Sequence, residues 1–311
     1  MKLHVFQTPP PAQLGAALEV FEAQFRYPLG GGQSFSISHG RDYITFFAAI
    51  GAPTLIVAEH RGCILGTLSA ALRPLRFPDG TLRTAAYLGD LKVAPSARGG
   101  VVLARIMETM HSALARPAGG IAYGVVMDGT GRIPPNYTGR IGIPTFSRVG
   151  RLSILKATTA GFVVGSSGIG EVSADARVTQ SGFVPLGGTS AMRSAMTPLF
   201  LASRSGSAVG RIEDTRLAKR LFSSPSDEIR AAHLSGFAFT SASEGAALFL
   251  RAVALCATRN IPTLFAAVPQ SCSDSLKAAL GTASVQFVSA TVFGCGLGDG
   301  EGDWWVDTAE I

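Results

Sequence analysis

The chain has 311 residues, 47% of them apolar and 15% charged. That composition supplies one large core or two ordinary ones and excludes an intrinsically disordered chain. The net charge of +6 is carried mainly by arginine, yet the basic residues are scattered, so nucleic acid is not expected as the main partner.

In chain order, residues 2–7 read as a first strand. Over 12–25, Leu14, Leu18, Phe21 and Phe25 recur at the spacing of a helix with one buried face. Residues 27–40 hold Gly30, Gly31, Gly32 and several serines without periodicity, which predicts a functional loop able to close over a site. Asp42 is placed to cap a second helix over 43–50. The β-rich runs 54–59 and 63–71 flank His60-Arg61-Gly62 and predict a hairpin. Pro78-Asp79-Gly80 turns the chain into a third strand, 84–93. A helix over 101–116 presents Leu103, Met107, Met110 and Leu114 on one face, and strand 121–127 follows. Residues 145–158 add β-like material. This order predicts an α/β chain built on a mixed (α+β) sheet that is antiparallel in its first part.

The run Gly165-Ser-Ser-Gly168-Ile-Gly170 reads as a linker or turn, because no helical pattern follows it as a nucleotide loop requires. Beyond it the expected elements are strand 234–239, helix 244–257, strand 262–268, helix 274–280 and final strands 284–293 and 304–308. A shift of 146 positions pairs Val93 with Phe239, Gly99 with Gly245 and Arg105 with Arg251. The repeated order predicts a duplication, with domains 1–164 and 165–311.

Cys63, Cys256, Cys272 and Cys295 form no CxxC pair and read as free thiols in a reducing compartment. The N-terminal residues lack the apolar core of a secretory signal. The most apolar stretch, 245–257, is interrupted by Arg251 and is too short to span a bilayer. A cytoplasmic protein without a membrane partner is expected.

The segment that points to a ligand is Leu88-Gly-Asp-Leu-Lys-Val-Ala-Pro-Ser-Ala-Arg-Gly-Gly100. A strand, a turn with an arginine and two glycines, and a helix start place free backbone N–H groups and a helix N-terminus together, a geometry suited to a pyrophosphate.

Two stretches, Val57-Ala-Glu-His-Arg-Gly-Cys-Ile-Leu-Gly66 and Leu91-Lys-Val-Ala-Pro-Ser-Ala-Arg98-Gly-Gly100, resemble the GNAT superfamily of acyl-CoA-dependent N-acyltransferases. The likeness covers residues 2 to about 128, with the second half similar to a degenerate copy that carries Glu244 in place of the arginine. The resemblance implies acetyl-CoA or another acyl-CoA as cofactor, a small-molecule or peptide amine as acceptor, and a GNAT-like fold in duplicate. Leu91, Lys92 and Val93 would pair through their backbone with the pantetheine arm. Arg98, Gly99, Gly100, Val101, Val102 and Leu103 would hold the pyrophosphate by N–H groups and helix dipole. A carboxylate repels phosphate, so only the first half is expected to bind. The sequence departs from the family at Val101 and Leu103, where small residues are usual. It also lacks the family's Asn and Tyr pattern after the fifth strand, where residues 128–138 stand instead.

Acyl transfer to an amine needs a proton acceptor, a polarised carbonyl and, at the leaving thiolate, a proton donor. Asp90 reads as the base, or equally as an orienting or salt-bridged carboxylate. Tyr137 reads as the acid or as packing in a Pro-rich loop, and Asp128 as lining the acceptor pocket. His4, His39, His60, His111 and His233 are far apart in sequence, and no GxSxG, HExxH or Walker loop occurs, so neither a metal nor a covalent nucleophile is expected. A catalytically silent CoA-binding or scaffold protein on the same fold is the alternative.

Overall fold

A computed structural model describes the chain except residues 31, 131–132, 141–142, 162–167, 173–177 and 225–226, and leaves aside the side chains of 28–30. In the first half β1 (Lys2–Phe6), α1 (Ala12–Glu22), β2 (Tyr27–Gly30), β3 (Gln33–Ser38), α2 (Thr45–Ala48), β4 (Ala52–His60), β5 (Cys63–Arg76), β6 (Leu82–Val93), α3 (Val102–Leu114), β7 (Ala122–Met127) and β8 (Ser147–Thr158) follow one another. The second half adds β9 (Ile169–Glu171), β10 (Val184–Pro185), α4 (Ser190–Arg193), β11 (Leu199–Ser203), β12 (Ala208–Glu213), β13 (Arg220–Ser224), β14 (Asp227–Glu228), β15 (Ala231–Phe239), α5 (Ala242–Thr258), β16 (Thr263–Pro269), α6 (Ser273–Leu280) and β17 (Val285–Cys295).

One mixed sheet runs through both halves in the order β1-β4-β5-β6-β7-β17-β8-β16-β15-β12-β11-β9, with β10 paired to β5. The hairpin predicted around His60-Arg61-Gly62 forms between β4 and β5. Arg61 and Gly62 both take positive φ (50° and 81°), the signature of a tight turn whose twist matches the strands it joins. Along β4, side chains alternate: Ile56 and Ala58 pack with α3, while Leu55 and Val57 pack with α1. That alternation follows from the two-residue period of a strand, and it sorts α3 to one face and α1 with α2 to the other. Gly66 lets α3 lie close on β5, because a Cβ there would fall 3.0 Å from Ile106 Cδ1 and 2.8 Å from the Lys92 carbonyl oxygen. Ile106 is fully buried, and burial of this kind contributes about 1.5–3 kcal/mol per side chain.

The centre of the sheet is symmetric in kind. The parallel pair β6–β7 is mirrored by the parallel pair β15–β16, and between them lie β17 and β8, antiparallel to each other. Strand β17 pairs with β7 of the first half, and β8 pairs with β16 of the second. Each half therefore lends its last long strand to the other. The proposed boundary between residues 164 and 165 lies outside the described residues, and the sheet is continuous across the two halves. Buried charges join them too: Glu310 bridges Arg73 of β5 (2.5 Å) and Arg193 of α4 (3.0 Å), and Arg193 reaches Glu213 of β12 at 2.8 Å.

Several sequence-based expectations are corrected. Residues 27–40 are not an open loop: β2 and β3 form a hairpin that joins β13 and β14 in a second, four-stranded sheet. The second helix shortens to Thr45–Ala48 because Tyr43 takes a positive φ of 55°, and Asp42 accepts a bond from the Thr45 hydroxyl rather than capping the helix. Residues 304–308 form no strand beyond a bridge from Trp304 to Phe183. Trp304 is a fully buried plug, stacked on Phe183 and bonded through its indole N–H to the Val149 carbonyl at 3.1 Å.

Candidate functional site

Strands β6 and β7 are hydrogen-bonded in parallel only at Ala86↔Ala122 and Tyr87↔Tyr123. Beyond that point they part, and a cleft of about 1000 Å³ opens between Leu88–Val93 on one side and Gly124–Met127 on the other. The parting coincides with a bulge in β6, where the register against β5 shifts between Thr67 and Ser69. Asp90 sits in the bulge with φ of +56°, a conformation uncommon for a residue with a side chain and held only where the surroundings enforce it. The second half carries the same device. Strand β15 shifts register against β12, Gly236 there has φ of +60°, and Gly236 stands 146 positions after Asp90.

Asp90 is part of a buried charge cluster of four residues drawn from three elements. Lys92 Nζ lies 3.0 Å from Asp90 Oδ1 and 2.6 Å from Glu22 Oε1 at the end of α1. His39, just past β3, places Nδ1 2.6 Å from Glu22 Oε1 and 3.1 Å from Asp90 Oδ2. The His39 backbone N–H also donates to Glu22 Oε2 at 2.8 Å. Asp90 Oδ2 is buried, with the His39 ring nitrogen as its ion-pair partner, in a group that lines the cleft. Burial raises the Asp90 carboxyl, but the charges of His39 and Lys92 outweigh it and hold the group below its usual value. Glu22 is lowered by the same balance. Burial works against the Lys92 ammonium, and Asp90, with Tyr43 and Glu22, more than offsets it, so Lys92 stays charged. Glu22, His39 and Asp90 could between them offer three ligand atoms to a metal ion. The Lys92 ammonium already supplies the positive charge their carboxylates face.

The strand-to-helix turn forms as its glycines and proline suggest. Pro95–Ala97 make one tight helical turn, Gly99 takes φ of +79°, and α3 starts after Val101. Val101 provides no side-chain cap, so the N–H groups of the first turn, which have no partner within a helix, remain open to an anion. The larger residues do not fill the turn: Val101 is exposed, Val102 is buried in the core under α3, and Leu103 is half-buried on the cleft wall.

Of the residues singled out from sequence, the cleft brings together Asp90, Leu91, Lys92, Val93, Arg98, Leu103 and Tyr137. Gly99, Gly100, Val101 and Val102 form the adjoining turn but not the described lining. Asp128, expected in the acceptor pocket, is not part of that lining either; it ends β7 tied to Arg151 (3.2 Å) and to the Thr291 hydroxyl (2.8 Å). Lys92 turns its side chain into the charge cluster, so it does more than offer backbone to a ligand. Burial pushes the Tyr137 phenol up to about 12.

Sequence reasoning missed His39, Glu22 and Lys219. His39 and Glu22 are separated from Asp90 by long stretches, and no spacing links them; only the fold of β3 and α1 against β6 does. Lys219 is fully buried on the cleft wall, its Nζ 4.6 Å over the Phe46 ring and donating to the Ile311 main-chain oxygen. Burial pushes its ammonium down to about 7.

In the second half the corresponding helix carries an acid in its first turn. Glu244, in the first turn of α5, accepts hydrogen bonds from the Ser205 hydroxyl (2.5 Å) and the Ser207 hydroxyl. Those bonds hold its carboxyl below the usual value.

The sequence matches no protein-family model and no curated protein. Solved structures do match over 94% of the chain. The N-myristoyltransferase of Saccharomyces cerevisiae with bound myristoyl-CoA superposes with a TM-score of 0.58 at 8% identity, over 82% of that chain. A probable N-acyltransferase from Enterococcus faecalis gives 0.53 at 12% identity, over 72% of that chain. The chain shares its fold with these two solved structures.

Proposed function

We propose that the protein is an N-acyltransferase that moves an acyl group from acyl-CoA, acetyl-CoA being the simplest donor, to an amine by direct attack. The observation that carries this reading is the Asp90 carboxylate, held by Lys92 and His39 where two parallel strands part and on the same cleft as the turn that leads into α3.

In this reading the pyrophosphate rests on the N–H groups from Arg98 to Leu103, and the pantetheine arm runs along Leu91, Lys92 and Val93 into the gap between β6 and β7. The amine nitrogen attacks the thioester carbonyl carbon while Asp90 Oδ2 takes its proton, directly or through a water. The tetrahedral intermediate collapses with loss of the C–S bond, and Tyr137, neutral at physiological pH, protonates the departing thiolate. Lys92 and His39 hold Asp90 ionised and fixed in place. The paired bulges at Asp90 and Gly236 support two diverged copies of one unit, in which the Glu244 carboxylate in the first turn of α5 disfavours phosphate and leaves a single cofactor site per chain.

Calorimetry with acetyl-CoA and with octanoyl-CoA tests the binding half of the reading. One site per chain is expected, and no heat with either ester overturns it. Release of CoA thiol with an amine panel tests the chemical half. Binding without turnover would instead favour a silent CoA-binding protein, which could keep the same Lys92–Asp90 pairing for stability alone.

A further inference from the structure

The cleft has two faces of different character. The uncapped turn belongs to α3, on one face of the sheet; the opposite face is covered by α1 and α2. A donor whose phosphates lie at α3 and whose thioester reaches Asp90 leaves the opposite face for the acceptor. That face is walled by Phe46 of α2 and roofed by the small sheet to which both halves contribute. Tyr27, Phe35 and Ile37 from the β2–β3 hairpin and Leu221 from β13 line the cleft there. Phe35 and Ile37 are two residues apart on one strand and share a face for that reason. The Tyr27 and Phe35 rings are in contact at 5.7 Å between centroids, and His39 packs 5.1 Å from Phe46.

Charge narrows the acceptor further. Among the described residues lining the cleft, Asp90 is the one acidic side chain, against Lys92, Arg98 and Arg140, while Lys219 is engaged by the Ile311 main-chain oxygen. Lys92 and His39 already face Asp90 and Glu22, so both carboxylates are engaged before a second ammonium group arrives. A polycation entering this space meets apolar walls and no second acidic side chain to pair with its further charges, which is discrimination by fit. A single amine on a flat apolar body meets the reverse: ring faces for its body and one carboxylate for its nitrogen.

We propose that the acceptor is a monoamine carried on an aromatic or similarly apolar body, not a polyamine, an aminoglycoside or a lysine-rich peptide. The proposal rests on the acyl-CoA reading above and deepens it. It assigns Phe35, Ile37, Phe46 and Leu221 as the specificity surface, with transfer forming an amide and releasing free CoA thiol.

The test uses the full chain with acetyl-CoA and octanoyl-CoA, and measures thiol release with tryptamine, phenethylamine, spermidine, kanamycin and a lysine-rich peptide. The expected result is a kcat/KM for the arylalkylamines at least about tenfold above that for spermidine or kanamycin, the scale on which pocket fit separates substrates. Phe35→Glu adds a carboxylate to the half-exposed roof. It should raise KM for tryptamine about tenfold, lower that for spermidine, and leave CoA-ester affinity unchanged. Phe35→Leu should keep the preference. A wild-type preference for spermidine, kanamycin or the peptide overturns the proposal while leaving the acyl-CoA reading intact, and so does an unchanged preference in Phe35→Glu. Absence of CoA-ester binding overturns both.

Discussion

The two strand-to-helix turns of this chain share a layout and differ in what fills them. In the first half, the bulge residue is Asp90, the helix start is uncapped, and the parted strands border an open cleft. In the second, the bulge residue is Gly236, and Glu244 brings its own negative charge to the helix start, held by serine hydroxyls from the turn between β11 and β12. Both have a bulged strand followed by a helix, but eight residues separate β6 from α3 and two separate β15 from α5. The difference teaches that a site of this kind resides in a few side chains set on a related frame, and that a carboxylate in the first turn puts negative charge where a phosphate would otherwise be favoured.

The comparison breaks most sharply at the bulge. Asp90→Asn is expected to lower kcat by about 10²–10⁴, the range for loss of a general base, with CoA-ester affinity within about twofold of the parent by calorimetry. Gly236→Asp, placing the same carboxylate in the other bulge, should create no second activity. Retention of full kcat in Asp90→Asn would remove Asp90 from the chemistry.

Next in size is the joint between the halves. Arg193→Met leaves Glu310 and Glu213 buried with one partner fewer, which should destabilise the fold by about 3–5 kcal/mol, read as a lowered denaturant midpoint. A single transition is expected; two separate transitions would mean that the halves can be treated as independent bodies.

A smaller effect is expected from copying the second turn into the first. Ala104→Glu places a carboxylate in the first turn of α3, as Glu244 is in that of α5. CoA-ester Kd should rise about tenfold or more, since like charge then faces the phosphates; an unchanged Kd would move the phosphate site elsewhere.

The smallest concerns Glu244 itself. Its folded carboxyl is held below its usual 4.5, so its stabilising contribution is full above pH 4.5 and fades as pH falls through the folded value. Melting curves of Glu244→Gln and the parent should differ modestly at pH 7 and converge in acid. Divergence that grows as pH falls would have the wrong sign.

Much of the frame was legible in the residues. Alternation marked β4 and β5, Arg61-Gly62 marked their turn, and the 3.6-residue apolar period marked α3 and α5. The glycines and arginine after β6 marked a turn suited to an anion. What the sequence hid was long-range. The exchange of β8 and β17 has no local signature, because a strand's composition records burial and not which neighbour it pairs with. Within the run over 27–40, Ser34-Phe35-Ser36-Ile37-Ser38 alternates polar and apolar as a strand does, a short signal set among glycines and serines that read as loop. Likewise β11 and β12 escaped notice between loops of similar composition. His39 and Glu22 joined Asp90 only through folding, so the charge cluster could be assembled only from the structure.

Strand β17 has a consequence for synthesis. It stands beside β7, yet it is made more than 150 residues later. While the ribosome is still adding α5 and α6, the N-terminal cleft has an unpaired β7 edge on offer to any extended segment nearby. A nascent chain halted before residue 285 should therefore be captured by chaperones or aggregate, whereas one extended past residue 295 can seal that edge itself.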